Sequence, residues 1–200
     1  MERIYNLFSI QDLQEIRRYS LIELSRFINE AGNPQGKFKI LEKDLIAICL
    51  CQGAAQHYIE SLNDNIKFDR VTDVSIKEIK EKGYKVDKTN RVLSGVKDID
   101  VWFFFKENKS VKISDARNCR KSTNIALTHL GLRRFDFLKK SIKNEIMNKA
   151  VKKEPKDIIS SYLINDNNDT PSSLALKSIV GLYPETIFNS VIWKVKRLQK

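Results

Sequence analysis

The stretch GVKDIDVWFFF, residues 95–105, decides how this chain folds. It is rich in aromatic and β-branched residues, which favour β-strands. Because side chains alternate between the two faces of a strand, Asp98 and Asp100 are predicted to share one face, with apolar neighbours on the other. We therefore predict a strand that begins at Asp98 and carries two carboxylates at its start.

Two further strands are predicted, one before and one after this stretch. Residues 45–50, LIAICL, form an apolar run that suits a strand buried on both faces, although a buried helix can have the same composition. Gly53 follows, and residues 54–62 predict a short helix. Residues 133–138, RRFDFL, predict a strand with its two phenylalanines on one face and Asp136 on the other. The predicted fold class is α/β (α+β), a small mixed β-sheet flanked by helices.

Helical periodicity marks the N-terminal segment, and polar segments separate the predicted strands. Apolar residues recur at helical spacing over residues 10–31, and Ser9 is placed to cap this helix. Residues 63–94 are mostly polar and predict an insertion or small subdomain. A polar, basic loop is predicted from Asp115 to Asn124.

The C-terminal part is predicted to be mainly helical. Residues 139–153 have roughly helical spacing and many lysines. Thr170 or Ser172 is placed to cap a second predicted helix, which runs through Val180 and ends at Gly181 and Pro184. The β-rich composition of residues 186–196 favours an added edge strand.

The length of 200 residues is typical of one domain and allows a substantial core. We predict a single domain, 1–200, with a core formed by residues 45–142 and a mainly helical C-terminal extension at 143–200. The predicted insertion at 63–94 interrupts that core.

The chain is strongly basic. It has 36 Lys and Arg against 25 Asp and Glu, a formal net charge of +11. Such an excess favours polyanionic partners, namely RNA, DNA or the phosphates of a nucleotide. Lysine-rich sequences also arise from AT-rich coding DNA, so the charge alone leaves the partner open.

Composition also limits the compartment and the type of site. No apolar run approaches the length that a membrane span needs, and the N-terminus lacks the pattern of a secretory signal. We therefore expect a cytoplasmic protein without a membrane partner. Three cysteines at these spacings predict neither a disulfide framework nor a zinc site.

The paired carboxylates are the strongest functional signal. When ionised, Asp98 and Asp100 repel each other unless a cation lies between them. Mg²⁺ or Mn²⁺ would explain the pair, because hard cations prefer carboxylate oxygens. Asp136 is the expected third ligand, with Asp115 as its rival. The alternative is structural, with Asp98 marking a turn and Asp100 exposed at a strand start.

These motifs together resemble the nucleotidyltransferase superfamily, which has the polymerase-β-like fold. The resemblance rests on Gly53-Ala54 after a strand, then Asp98-Ile99-Asp100-Val101, then Asp136 on a later strand. It covers roughly residues 45–142 and extends to a group of small uncharacterised prokaryotic proteins. Ala54 stands where the pattern has glycine or serine, and the segment between Gly53 and Asp98 is longer than is usual in the superfamily.

The resemblance implies a metal-dependent transfer of NMP from an NTP to an unknown acceptor, which could be RNA, a protein or a small molecule. It implies that Asp98 and Asp100 hold Mg²⁺ or Mn²⁺ with the triphosphate, and that Asp136 is a shared ligand and possible base. The residues implied to face the nucleotide are Gln52, Gly53, Ala54 and Lys97.

Two other functions compete with this one. The first is a metal-dependent nuclease, in which Asp100, Glu107 and Lys109 imitate the acidic-acidic-lysine arrangement of restriction-type enzymes. The second is a non-catalytic relative that binds nucleic acid or a protein. The predicted basic loop supplies candidate contacts to a nucleic-acid phosphate, namely Arg117, Arg120 and Lys121. The acceptor, base preference and oligomeric state are not predicted.

Overall fold

A computed structural model of the chain describes residues 8–30, 42–63, 85–86, 92–93, 98–107, 120–165 and 178–194. Nearly all of the predicted insertion at 63–94 lies outside these residues, as does the expected helix start near Ser172. Four residues of the predicted sites also lie outside them: Lys97, Lys109, Asp115 and Arg117.

Eight strands are formed by the described residues. They are β1 (Leu45–Cys51), β2 (Lys85–Val86), β3 (Val92–Leu93), β4 (Asp98–Lys106), β5 (Arg120–Leu127), β6 (Gly131–Ile142), β7 (Ile179–Tyr183) and β8 (Val191–Trp193). Six of them form one sheet in the order β5-β6-β4-β1-β7-β8, and β2 pairs with β3 separately. Strand β4 is parallel to β6, whereas the other pairings in the large sheet are antiparallel, so the sheet is mixed.

Four α-helices accompany the sheet in the described residues. They are α1 (Ile10–Glu30), α2 (Gln52–Asn63), α3 (Asn144–Lys149) and α4 (Pro155–Asn165), with short 3-10 turns at Glu42–Asp44 and Glu185–Ile187. The predicted α/β class is confirmed: a mixed sheet flanked by helices. Within the described ranges, no helix is both long and apolar enough to cross a lipid bilayer.

The sheet is buried on both faces, as the continuous apolar run of β1 predicted. On one face, apolar side chains of β1 and β4 such as Leu50 and Phe103 pack with Ile16 of α1 and Tyr58 of α2. On the other face, Trp102 and Phe104 of β4 pack with α3 and α4. We call these the α1/α2 face and the α3/α4 face.

Helix α1 begins where the sequence predicted. The Ser9 backbone carbonyl accepts the Leu13 N–H at 3.1 Å, and the Ser9 hydroxyl oxygen accepts the Asp12 N–H at 3.2 Å. The Asp12 carboxylate in turn accepts the Ser9 N–H at 2.8 Å. This reciprocal arrangement satisfies backbone donors that the first helical turn leaves without partners.

The predicted basic loop at 115–124 is wrong over its second half. Residues from Arg120 onward form β5, which pairs antiparallel with β6 along its whole length. The sequence RKSTNIAL did not predict this strand, because its outer side chains lie at an exposed part of the sheet and are therefore polar, as in a loop. Pairing with β6 satisfies the backbone groups that composition alone assigned to a loop.

The predicted helix at 139–153 is also wrong in its first part. Strand β6 continues to Ile142, and only Asn144–Lys149 is helical. The reason is the partner strand: β4 pairs with β6 in register from Asp98↔Arg134 to Lys106↔Ile142. A strand as apolar as β4 needs hydrogen-bond partners along its full length, and this requirement outweighs the helical spacing of the lysines.

The predicted helix through Val180 is wrong at its end, whereas the predicted edge strand is confirmed. Residues Ile179–Tyr183 form β7, which pairs with β1, so Gly181 lies inside a strand. Strand β8 at Val191–Trp193 then closes that edge of the sheet. The residues after 143 therefore contribute two strands of the main sheet besides their helices.

Candidate functional site

One row of paired residues crosses the sheet through Asp100. It runs from Ser122 on β5 through Asp136 on β6 and Asp100 on β4 to Cys51 on β1 and Ile179 on β7. Neighbouring strands lie about 4.8 Å apart, so Asp100 and Asp136 are immediate neighbours. Residues that are 36 positions apart in sequence thus meet because β4 and β6 are parallel and in register.

The three predicted aspartates share one face of the sheet. Ile99 and Val101 belong to the core of the α1/α2 face, so Asp98 and Asp100 project to the opposite side. Phe135 and Phe137 belong to the same core, so Asp136, which lies between them, also projects to the α3/α4 face. The alternation predicted for both strands is confirmed.

Polar side chains gather at one corner of this face, near the start of β4. We call them the polar corner, and its members are Asp98, Asp100, Ser122, Asn124, Arg134 and Asp136. Asp98, Ser122, Asn124 and Arg134 are exposed, Asp100 is half-buried, and Asp136 is buried. The corner therefore opens to solvent, while the rest of the face is packed against helices.

The buried member of the corner is held by its neighbours. The Asp136 carboxylate accepts a hydrogen bond from the Ser122 hydroxyl and another from Arg134 Nε at 3.2 Å. Arg134 Nη2 also donates to Ser122 Oγ at 3.3 Å. Asp136 is 1% exposed, whereas the Arg134 side chain is 50% exposed. The arginine thus neutralises a buried carboxylate and still reaches solvent.

The predicted three-carboxylate metal group is not assembled in this arrangement. Among the described residues, no three His, Cys, Asp or Glu side chains are grouped so as to hold a metal ion. Asp98 and Asp100 remain on the solvent-facing side, but Asp136 is bonded to Ser122 and Arg134. The role of Asp136 as a third ligand stays a prediction.

The turn between β1 and α2 lies beside these aspartates. Cys51, the last residue of β1, pairs with Asp100, so the Gly53 Cα lies no more than about 13 Å from the Asp100 Cα. Gln52 makes the turn with a φ of 60°, a left-handed conformation that is uncommon outside glycine. Its N–H donates to the Ser178 carbonyl oxygen at 3.0 Å, which ties the turn to the start of β7.

Gly53 is not required by the packing of the described residues. It lies in the first turn of α2 without a left-handed φ, and an added Cβ would meet none of their atoms within 4 Å. Ala54 differs, because it is fully buried in the core of the α1/α2 face. Of the residues implied to face a nucleotide, Gln52 and Gly53 have accessible positions, and the Ala54 side chain points into the core.

Of the candidate nucleic-acid contacts, Lys121 is the one whose side chain the structure describes, and it lies away from the polar corner. Lys121 alternates with Ser122 and lies on the α1/α2 face, where its ammonium pairs with Glu23 at 2.8 Å. Glu23 is only 3% exposed, so this lysine compensates a buried charge of α1. Arg120 begins β5, and its side chain, like the whole of Arg117, is not described.

The nuclease arrangement is contradicted by the length of β4. Asp100 lies near the start of this strand, and Glu107 follows its end, where its N–H donates to the Ile142 carbonyl oxygen at 2.8 Å. Seven strand residues span about 23 Å, which is too far for one metal ion to bind both carboxylates. Asp100 and Glu107 therefore cannot form a shared nuclease centre.

Burial shifts the pKa of two groups on strands of this sheet, Cys49 and Arg133. Burial raises the pKa of the Cys49 thiol, so this residue remains a neutral thiol inside the core. Burial lowers the pKa of Arg133, the neighbour of Arg134 on β6. Arg133 projects to the α1/α2 face, so Arg134 is the arginine of this pair that faces the carboxylates.

Sequence reasoning missed three members of the corner: Ser122, Asn124 and Arg134. Arg134 is two residues before Asp136, so strand alternation could have placed both on one face. Ser122 could not have been found in this way, because it lies on a strand whose polar sequence predicted a loop. Its position follows only from the pairing of β5 with β6.

Comparison of the chain with protein-family models, with curated proteins and with solved structures gives no match in any of the three. A proposal about function therefore depends on the polar corner and on the turn beside it.

Proposed function

We propose that the chain binds a nucleoside triphosphate with a divalent metal ion and transfers the nucleotidyl group to an acceptor. The observation that supports this most directly is the placement of Asp98 and Asp100 on one exposed face, beside the turn at Gln52 and Gly53. Carboxylates suited to a metal ion and a helix start suited to a phosphate thus lie within one small region.

The donor set of the corner fits a hard cation. Asp98 is exposed and Asp100 is half-buried on the same face, so their oxygens would hold Mg²⁺ or Mn²⁺ without unfolding the core. When bound, such an ion supplies charge neutralisation for the triphosphate and acidifies an attacking hydroxyl. In the present arrangement one oxygen of Asp136, Oδ1, accepts from both Ser122 and Arg134.

The protein's own contribution is to position the phosphates. The backbone N–H groups in the first turn of α2 have no partner within the helix, and the helix dipole makes this end favourable for negative charge. Gly53 leaves space next to them, so a phosphate can approach the backbone closely. Ser178, the residue before β7, supports this arrangement: its carbonyl oxygen accepts from Gln52, and its hydroxyl donates to Gln56.

Titration calorimetry tests this proposal on the unmodified protein. We expect a non-hydrolysable ATP analogue to bind saturably in the presence of Mn²⁺ and weakly in its absence. Incubation with NTP and candidate acceptors should then release pyrophosphate, which a nuclease reaction does not do. Failure of the analogue to bind with Mn²⁺ would contradict the proposal.

Gly53→Ala provides a prediction with opposite effects on stability and binding. Alanine is a better helix former than glycine, and its methyl group has open space here, so we expect stability to rise by about 0.5–1 kcal/mol. The same methyl group lies where we place the phosphate, so the affinity for the Mn²⁺-bound ATP analogue should fall about tenfold. Urea unfolding and calorimetry measure the two effects separately.

The matched control is Gln56→Ala, which lies on the same helix one turn further on and contacts Ser178. We expect it to lower stability and to affect nucleotide affinity less than Gly53→Ala. Unchanged affinity in a stabilised Gly53→Ala variant would show that no phosphate lies against this backbone.

A second candidate function, nucleic-acid binding, is favoured by one surface. Between residues 139 and 157 the chain has seven lysines and three carboxylates. Five of these lysines, from the residue before α3 to the first turn of α4, are exposed: Lys143, Lys149, Lys152, Lys153 and Lys156. We call them the lysine surface, and it suits an acceptor RNA or a non-catalytic interaction with nucleic acid.

Charge reversal on the lysine surface tests this function. We expect Lys152→Glu to weaken binding of a single-stranded RNA several-fold and to reduce the slope of log affinity against log salt by about 1, because a phosphate contact is lost. Arg18→Glu on α1 makes the same change of charge on the opposite face, where the Arg18 side chain is 65% exposed. Equal weakening by both variants, measured by fluorescence anisotropy, would indicate a general charge effect and contradict a defined surface.

A further inference from the structure

We propose that Arg134 binds the phosphates of the nucleotide, and that Asp136 and Ser122 hold its guanidinium in position for this. The inference rests on the proposed function and assigns a phosphate-binding residue to the same site. It also gives Asp136 a role different from that of a metal ligand.

The first argument is how Arg134 is held. Its Nε donates to Asp136 at 3.2 Å and its Nη2 donates to Ser122 at 3.3 Å, so two points fix the plane of the guanidinium. A guanidinium has five N–H donors, and these contacts leave others directed away from Asp136. The side chain is 50% exposed, so the remaining donors are accessible to a ligand.

The second argument is its location relative to the carboxylate pair. Arg134 pairs in register with Asp98 on the adjacent parallel strand, and both residues project to the same exposed corner. The two backbones lie about 4.8 Å apart. A phosphate bound to a metal ion at Asp98 and Asp100 is therefore within reach of the guanidinium, which binds phosphate oxygens in a planar, two-point manner.

The third argument is the burial of Asp136. A carboxylate that is 1% exposed needs a compensating charge, and Arg134 provides it. Ser122, directly opposite Asp136 on β5, donates to the same carboxylate oxygen. The buried part of this cluster therefore orients the arginine, because an arginine fixed before binding loses less side-chain entropy when the phosphate arrives. Asp136 is accordingly a positioning residue.

Calorimetry with three probes separates phosphate binding from metal binding. The probes are Mn²⁺ alone, tripolyphosphate with Mn²⁺, and a non-hydrolysable ATP analogue with Mn²⁺. For Arg134→Gln we expect Mn²⁺ affinity within about threefold of the wild type and at least a tenfold loss for the two phosphate probes. Arg133→Gln, the same substitution on the opposite face, should leave all three affinities close to the wild type. Arg134→Lys keeps the charge but not the planar fork of the guanidinium. Its affinity for the two phosphate probes should therefore lie between those of Arg134→Gln and Arg133→Gln.

Asp136→Asn distinguishes a positioning residue from a metal ligand. We expect it to resemble Arg134→Gln, with phosphate affinity reduced and Mn²⁺ affinity nearly kept. The double variant Arg134→Gln/Asp136→Asn should bind the phosphate probes no more weakly than either single variant, because both changes remove the same oriented guanidinium. Loss of Mn²⁺ binding by Asp136→Asn, comparable to the loss in Asp98→Asn, would overturn the inference in favour of a metal ligand.

Thermal unfolding of each variant accompanies its titration. If Asp136→Asn does not fold, Ser122→Ala tests instead whether the cluster positions Arg134. Ser122 is exposed, and its loss removes one of the two points that hold Arg134, so we expect a few-fold loss of tripolyphosphate affinity. Unchanged phosphate affinity in Arg134→Gln and Ser122→Ala would overturn this inference alone. Failure of the wild type to bind any probe would instead overturn the proposed function, and the inference with it.

Discussion

Replacing Asp98 and Asp100 together with asparagine is expected to abolish metal-dependent nucleotide binding. The two carboxylates supply the hard oxygen donors of the exposed corner, and asparagine keeps their size while removing both charges. We expect the affinity for a Mn²⁺-bound ATP analogue to fall at least about 100-fold, measured by titration calorimetry.

A control for this substitution should make the same change of charge elsewhere on the chain. Glu107→Gln with Glu145→Gln removes two carboxylates, one just after β4 and one on α3. Glu107 is about 23 Å from Asp100 along the strand, so we expect nucleotide affinity to remain within about twofold of the wild type. Equal losses in the two double variants would show that net charge, and not a metal site, governs binding.

Gly181→Ala is expected to have the largest effect on stability. A Cβ at this position would lie 2.1 Å from the Ile187 carbonyl oxygen and 2.9 Å from its carbonyl carbon. Both atoms belong to the backbone, and Gly181 is hydrogen-bonded on both sides, to Ser190 at 2.9 Å and to Asn189 at 3.0 Å. Neither side can yield without breaking these bonds. We therefore expect a loss of about 3 kcal/mol or more, which is a fall in melting temperature of about 6–12 °C.

Gly53→Ala is the matched control, because it makes the same substitution where the added methyl group has space. Scanning calorimetry of the two variants should therefore give melting temperatures that change in opposite directions. Beside the loss of stability, Gly181→Ala should cause a secondary loss of nucleotide binding, since β7 positions Ser178 under the turn at Gln52. A Gly181→Ala variant that melts within about 2 °C of the wild type would contradict the close approach of β7 to Ile187.

Local patterns in the sequence predicted the elements that depend on one segment at a time. The apolar residues of α1 and its Ser9 cap, the apolar run of β1 and the alternation in β4 were sufficient to predict those elements and the α/β class. The common face of Asp98 and Asp100 was also predictable, because side-chain alternation is a property of any single strand.

Predictions failed where a strand owes its existence to its partner. Strand β5 has a polar sequence, β6 extends through lysines, and β7 includes a glycine that resembled a helix end. Each is a strand because a neighbour in the sheet needs hydrogen-bond partners. Strands β6 and β7 pair with β4 and β1, which are distant in the sequence, and β5 pairs with β6 across a short turn. Propensity acts over a few residues and does not include this requirement.

The same distinction applies to the candidate site. The sequence by itself determined that this chain forms a mixed α/β sheet and that one strand carries two carboxylates on one face, since both follow from local spacing. Only the tertiary structure decided that Asp136 lies beside Asp100 and that Ser122 and Arg134 surround it. It likewise joined Ser178 to Gln56, 122 residues away. The physical reason is that strand register depends on packing and pairing among separate segments, which no single segment specifies.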